Sequence, residues 1–268
     1  FDAIKNNEQL NAYIDEHWVE GLHNFILIDE VQEIESWEKS VRSYRTEEDT
    51  DIIITGSNSK MLSSELSTLI GGRYHEIYVQ SLSYQEFLLF HELEDNDDAL
   101  SKYINYGGLP GLKQVGLDDE EFVWDYIRAV FHTVMLKDIV ERNNIRNVSF
   151  LNTLLRYFAD TIGKLSSLNN ISKFMKSQGL DVSVKSIAAY LNYFRDAYLL
   201  LTVDRFDIHG KKLLESNEKI YFGDVGLRNL IAGGERQGDI EKILENIVYQ
   251  QLVRMGYAVS VGQLRAGE

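Results

Sequence analysis

Two short, continuous apolar runs constrain this chain most: FILI at 25–28 and DIIIT at 51–55. Neither alternates with polar residues and both are too short for helices, so each predicts a strand buried on both faces. IESWEKSVRSY (34–44), between them, and NNEQLNAYIDEHW (6–18), before them, carry apolar residues at helical spacing. Strands alternating with helices predict a parallel sheet with helices on both faces. In such sheets function collects at the carboxyl ends of the strands. Asp29 and Glu30 terminate the first run, and TGSNSK (55–60) terminates the second.

Adjacent carboxylates repel one another unless a cation or a basic partner is near, so the pair implies a metal. An apolar strand ending in Asp-Glu looks like the Walker B element of nucleoside-triphosphate hydrolases. There the first carboxylate, here Asp29, holds Mg²⁺, usually through water, and the second, here Glu30, orients or deprotonates the attacking water. The structural alternative is that Asp29 caps the next helix and Glu30 is simply solvated. In TGSNSK, Asn58 is the candidate for contact with a γ-phosphate or its water, with Ser57 and Thr55 behind it. Ser57 or Ser59 would also serve as the N-cap of a helix over 60–67. Arg73 follows two glycines and precedes an expected strand, where a planar, permanently charged guanidinium suits a phosphate; a surface arginine is the alternative.

Five segments in order, ILIDEVQEI, IITGSNSKML, GGRYHEIYVQSLSYQEF, YINYGGLPGL and ENIVYQQLVRMGY, resemble a family of prokaryotic AAA-superfamily ATPases with a C-terminal domain similar to restriction endonucleases. The resemblance implies ATP and Mg²⁺ as cofactors, Walker B roles for Asp29 and Glu30, a sensor role for Asn58 or Ser57, and a phosphate-facing Arg73. One departure is large: the loop G-x-x-x-x-G-K-[ST], whose amides and lysine cradle phosphates, does not occur in the sequence. IGKLSS (162–167) lacks its first glycine and has Leu165 where Ser or Thr must stand, and HGKKLL (209–214) fails likewise. Too few residues precede Asp29 for that loop and its strand, and the sequence stops before the remaining acidic residues of the endonuclease-like domain, so both ends look cut and the chain is expected to be a fragment without unaided ATP hydrolysis.

The remainder reads as helices. A long helical pattern covers 118–142, and FLNTLLRYFADTIG (150–163), NNISKFMKSQG (169–179) and SVKSIAAYLNYFRDA (183–197) follow, the last opened by Ser183 as N-cap. YLLLTVDRF (198–206) and KIYFGD (219–224) then form a hairpin around DIHGKK. Two helices joined by a short turn and followed by a two-stranded wing are in winged-helix order. Lys164, Lys173, Lys176, Lys185 and Arg195 stand against Asp181 alone from 164 to 195. Lys185 and Ser186 near the start of the third helix, with Lys211 and Lys212 at the wing tip, are the candidate DNA contacts; a protein-docking surface is the alternative. DIEKILENIVYQQLVRMG (239–256) predicts a helix closed by Gly256, followed by a strand YAVSVG. Glu245 on that helix matches the helix glutamate of the endonuclease-like domain.

The expected fold class is α/β: a partial P-loop, AAA-type parallel sheet with flanking helices, then a helical winged-helix domain. Its divisions are 1–115 for the ATPase core, 116–235 for the helical and winged-helix part, and 236–268 for the start of an endonuclease-like domain. With 27 Lys and Arg against 42 Asp and Glu, a formal charge of −15, the whole surface does not suit nucleic acid. There is no cysteine, which excludes disulfides and thiolate metal sites, and the six histidines show no metal-ligand spacing. No run of 18 or more apolar residues and no secretory leader occurs, so no membrane partner is expected and a cytoplasmic location fits.

Overall fold

A computed structural model describes residues 4–47, 49–57, 74–207, 212–234 and 237–262, with backbone alone at 206–207, 212–217 and 237. Asn58, Arg73 and Lys211, and the helix expected over 60–67, lie outside the described residues. The chain divides into two compact units, Phe1–Tyr78 and Val79–Glu268.

In the first unit, α1 (Asn7–His17) starts where the Asn6 side chain accepts a hydrogen bond from the Gln9 amide at 3.0 Å. Strand β1 (Asn24–Ile28) pairs in parallel with β2 (Thr50–Ile54), Ile28 opposite Ile54. The crossover between them contains a single 3₁₀ turn (Val31–Glu33) and α2 (Trp37–Tyr44). Leu10 and Ile14 of α1 pack with Ile28, Val31, Ile34, Trp37 and Val41. Each such aliphatic side chain contributes about 1.5–3 kcal/mol on burial. The Tyr44 hydroxyl ties α2 to α1, donating to the Asn11 carbonyl at 3.1 Å and to Asp15 at 2.5 Å.

The strands are not buried on both faces. Phe25, Leu27 and Ile53 are 66%, 69% and 54% exposed, and alternate with covered neighbours. Among the described residues α1 and α2 cover one face only. An unbroken apolar run says that a strand has two apolar faces; it does not say that both are occupied.

A strand was expected after Arg73, but residues 74–80 form none; the second unit begins at Val79. Four helices follow: α3 (Tyr84–His91), α4 (Asp97–Tyr106), α5 (Leu112–Val115) and α6 (Glu120–Thr133). The expected long helix over 118–142 continues α6 as a π-helical stretch, Val134–Glu141, which holds more residues per turn than an α-helix. Then come α7 (Val148–Asp160), β3 (Leu165–Ser166), α8 (Leu168–Ser177), α9 (Val184–Asp196), β4 (Leu200–Asp207) and β5 (Lys212–Phe222). Helix α10 (Val225–Ala232), α11 (Ile240–Arg254) and β6 (Val261–Gly262) close the unit. The strand expected from YAVSVG shrinks to β6, paired in parallel with β4 only at Arg205 and Phe206.

Side-chain caps define the helix starts: Asn147 accepts from the Phe150 amide at 3.0 Å, Ser167 from Asn170 at 3.2 Å, and Ser183 from Ser186 at 3.1 Å. The core runs from Phe87, Tyr103 and Leu112 through Val123 and Ile127 to Phe150, Leu154, Phe158, Ile171, Met175, Ile187 and Phe194. The antiparallel hairpin β4–β5 matches Leu200 with Phe222, and the sheet order is β3-β5-β4-β6.

Polar groups also hold this core. Asp224 is fully buried and accepts from the amides of Gly108 (2.8 Å), Gly226 (2.8 Å) and Leu227 (3.2 Å). Burial pushes its carboxyl up, and those amides with the Ser81 hydroxyl oppose the shift. Gly107 has φ +75°, and a Cβ there would sit 2.3 Å from Asp224 Oδ1, so the Gly-Gly of YINYGGLPGL is a packing requirement. Arg228, also fully buried, donates to the Ala159 carbonyl at 3.0 and 2.9 Å and to Asp239 at 2.5 Å. Asn229 donates to the carbonyls of Ile104 and Asn105 at 2.9 and 3.0 Å.

Burial acts to raise the Asp239 carboxyl, but Lys242 and Arg228 hold it below the ordinary 3.8. A depressed carboxyl stabilises the fold above its unfolded value, and that contribution disappears as pH falls through the folded value. Asp239→Asn leaves the Arg228 guanidinium buried without a counter-charge, and is expected to cost about 3 kcal/mol near neutral pH. Urea denaturation across pH checks this: the gap between variant and wild type narrows below about pH 4. An unchanged midpoint at neutral pH contradicts it.

Candidate functional site

The parallel ladder continues past β1. The Thr55 amide donates to the Ile28 carbonyl at 2.9 Å, and the Val31 amide donates to the Thr55 carbonyl at 3.0 Å. Asp29 and Glu30 therefore leave the strand under constraint from Thr55 on the neighbouring strand. Val31 is completely buried and anchors the turn. Between them the backbone of Glu30 adopts the left-handed region, φ 51° and ψ 52°, uncommon for a residue with a side chain and enriched at sites where geometry matters more than local comfort.

Five side chains converge here. The Thr55 hydroxyl donates to Asp29 Oδ1 and accepts from the Glu30 amide at 3.0 Å. The Gln32 amide nitrogen donates to Glu30 Oε2 and to the Ser57 hydroxyl, the latter at 3.3 Å. Asp29 is exposed, while Glu30, Gln32 and Ser57 are half-buried. Oε1 of Gln32 is buried and has no hydrogen-bond partner among the described residues. Asp29 does not cap the following helix: Ser36 holds the N-cap position of α2 and makes no side-chain cap bond.

The arrangement suits a hydrated divalent cation. Mg²⁺ in nucleotide sites takes one or two carboxylates, keeps several waters, and draws its other ligands from phosphates. The described residues gather no set of three or more His, Asp or Glu able to hold a metal by themselves. One exposed carboxylate fixed by a hydroxyl, beside a second one clamped by an amide, fits the former type of site.

Thr55 and Ser57 thus join Asp29 and Glu30, as the order of the two strand ends suggested. Gln32 was missed as a site residue; its signal was present in the segment DEVQ, two positions after Glu30.

In the second unit, Lys185 is exposed in the first turn of α9, and the Ser186 hydroxyl lies 2.9 Å from that of Ser183. Lys212 opens β5, its side chain outside the described residues. Glu245 Oε1 accepts from Lys219 Nζ and from the Tyr221 hydroxyl, both at 2.6 Å, and Tyr221 stacks on Tyr249 with ring centroids 4.5 Å apart. Burial and the Glu245 carboxylate push the Tyr221 hydroxyl well above the ordinary tyrosine value. Glu245 therefore ties α11 to β5. No described helix is long and apolar enough to cross a membrane.

Residues 1–88 match an AAA domain family, and residues 97–238 match the domain of unknown function DUF8612. An uncharacterized protein of Haemophilus influenzae is 36% identical over 248 residues, covering 91% of this chain and 61% of that protein. An uncharacterized protein of Methanocaldococcus jannaschii is 30% identical over 244 residues, covering 87% of this chain and 53% of that one. The chain thus spans little more than half the length of these relatives. Among solved structures, the Walker-type ATPase of Pyrococcus abyssi shares the fold, with a TM-score of 0.53 at 14% identity over 84% of this chain and 66% of that one. The fold is mixed α/β and similar to that of a Walker-type ATPase, with an AAA domain match at its N-terminal end. Because the DUF8612 match spans more than half of its residues, the chain belongs to the DUF8612 family.

Proposed function

We propose that the complete protein is an AAA-superfamily ATPase that binds ATP with Mg²⁺ and couples its hydrolysis to movement of a winged-helix module that binds duplex DNA. The observation that carries this reading is the convergence of Asp29, Glu30 and Thr55 at the carboxyl ends of two parallel strands. The reading assigns the phosphate-cradling loop to a part of the protein outside these residues. Bound Mg²⁺ would neutralise charge developing on the phosphates.

This chain's own residues have distinct tasks in that reaction. Asp29, exposed and with one oxygen engaged by the Thr55 hydroxyl, would hold the hydrated cation. Glu30 orients the attacking water and accepts its proton; the Gln32 amide fixes the direction of its carboxylate. Ser57, bonded to Gln32, adds a polar group beside Glu30, and the family resemblance assigns Asn58 and Arg73 to the γ-phosphate. In the second unit, α8, a turn, α9 and the hairpin β4–β5 follow in the order expected of a winged helix, with Lys185 and Ser186 at the start of α9 and Lys212 opening β5; Lys211 joins this candidate set from the sequence alone.

A second reading makes the protein a non-enzymatic module, the ATPase-like part serving as scaffold while the winged helix recognises DNA or a protein. The same helix-helix-hairpin order supports it, and ATP turnover separates the two.

The test uses the chain expressed with its natural upstream sequence. Glu30→Gln is expected to retain nucleotide and lose turnover by about a hundredfold or more, since it keeps size and hydrogen bonding while removing the base. Arg73→Ala is expected to slow turnover as well. Thr55→Val, which keeps shape and removes the hydroxyl bonded to both Asp29 and Glu30, is expected to lower kcat about tenfold or more with nucleotide affinity less affected. Turnover unchanged in Glu30→Gln removes Glu30 from the mechanism, and no turnover in the wild type favours the scaffold reading.

A further inference from the structure

The outer side of α9 has a composition of its own. Ile187, Leu191 and Phe194 point into the core, so the opposite side of a helix with 3.6 residues per turn presents Lys185, Ala189 and Asn192, with Asp196 on the same line at the last residue of the helix. Lys185 and Asn192 are exposed, and Ala188 and Ala189 are half-covered. Neither the Lys185 nor the Asn192 side chain has a hydrogen bond or ion pair with another described residue. Neighbouring basic groups are engaged to different degrees: Lys176 lies 3.4 Å from Asp181 and Arg195 lies 3.9 Å from Glu218.

A protein-docking helix presents a mainly apolar or aromatic centre with charges kept to its rim. This stripe instead sets an ammonium and a carboxamide about two turns apart, with alanine methyls between them. The small side chains let the helix backbone come close to whatever lies against it. From Lys185 to Asn192 the axial distance is roughly 10 Å, about three base-pair steps.

We infer that the Lys185–Ala189–Asn192 stripe reads base edges in the major groove, so that duplex recognition by this unit depends on sequence. The inference rests on the duplex-binding reading above and adds selectivity to it. Asn192 matches adenine, whose N6 amine and N7 pair with a carboxamide in two hydrogen bonds. Lys185 matches the O6 and N7 acceptors of guanine, and the alanine methyls match the C5 methyl of thymine. Lys185 stands at the second residue of the helix, within the N-terminal portion that reads bases in helix-turn-helix proteins. Lys164 and Lys173, both exposed and without an ion pair among the described residues, are placed to meet phosphates, which position the helix without specifying sequence.

Selection from a randomised duplex pool, followed by fluorescence anisotropy on the enriched duplex and a scrambled one at several salt concentrations, tests this. The enriched duplex is expected to bind at least about tenfold tighter than the scrambled one. Asn192→Ala is expected to remove about tenfold of that preference and leave scrambled binding and its salt slope unchanged. Lys173→Ala is expected to weaken both duplexes equally and reduce the salt slope by about one. Both positions are exposed, and circular dichroism verifies that the variants fold. A pool without consensus, or an Asn192→Ala protein that keeps its preference, overturns the inference. Equal, strongly salt-dependent binding to every duplex would leave the broader duplex-binding reading intact, whereas no binding to any duplex removes both.

Discussion

Thr55 is the residue on which the geometry at the end of β1 depends. Its amide and carbonyl extend the parallel ladder to Ile28 and Val31, and its hydroxyl engages both Asp29 and the amide of Glu30. Two backbone bonds fix where the chain leaves the sheet, and one side chain then fixes what leaves with it. Adjacent carboxylates at a free strand end would separate to reduce their repulsion. Here each has a different neutral donor, a hydroxyl for Asp29 and an amide for Glu30, so the two carboxylates are distinguished before any ligand arrives. The left-handed backbone at Glu30 belongs to the same constraint: Val31 must turn inward to be buried while its amide reaches back to Thr55.

The second unit solves another problem with polar groups inside its core. Asp224 gathers amides from a glycine loop and a helix start, Arg228 spans from α7 to Asp239 just before α11, and Asn229 reaches the end of α4. Buried networks of this kind are stable only when every member is satisfied, because an orphaned charge in a low-dielectric interior is costly. They also restrict alternatives. Apolar side chains such as Ile231 would tolerate several packings of α10, whereas Asn229 accepts only the register that meets the carbonyls of Ile104 and Asn105.

Local signals in the sequence located most of the helices. Apolar periods marked α1, α2, α6 to α9 and α11, and the start of α9 falls at Ser183 as read from its spacing; α3, α4 and α10, capped by Ser83, Asn96 and Asp224, were not legible as helices, because their apolar periods are short. The parallel pairing of β1 with β2 was legible for a similar reason, since only a crossover fits the helix between them. Burial on both faces was not legible: Phe25, Leu27 and Ile53 show that an apolar face can stand open, and occupancy is a property of partners rather than of the strand. At the site, Asp29, Glu30, Thr55 and Ser57 could be paired because the ends of adjacent parallel strands lie together. Gln32 escaped because its contribution depends on the left-handed turn at Glu30, which no spacing rule announces. The buried pair Arg228–Asp239 escaped too, since an arginine in FGDVGLRN looks like any solvated one until its surroundings are known.

Charge sets how the two faces of α9 can be used. A chain with a formal charge of −15 repels a polyanion at long range, and the few free lysines near α8 and α9 offset this only within about a Debye length, roughly 8 Å at physiological salt. Affinity drawn from phosphates alone would therefore be weak and steeply reduced by salt. Direct contacts to bases suffer less screening, because they form at close range in a desolvated groove. For the base reading proposed for α9, an acidic protein would shift the balance toward such contacts: weak attraction to any duplex would lower the background, and a small number of base contacts would then decide a larger share of where the helix stays. An exposed Asn192 beside two alanines is consistent with that balance, because an uncharged amide adds discrimination without adding general attraction to the backbone.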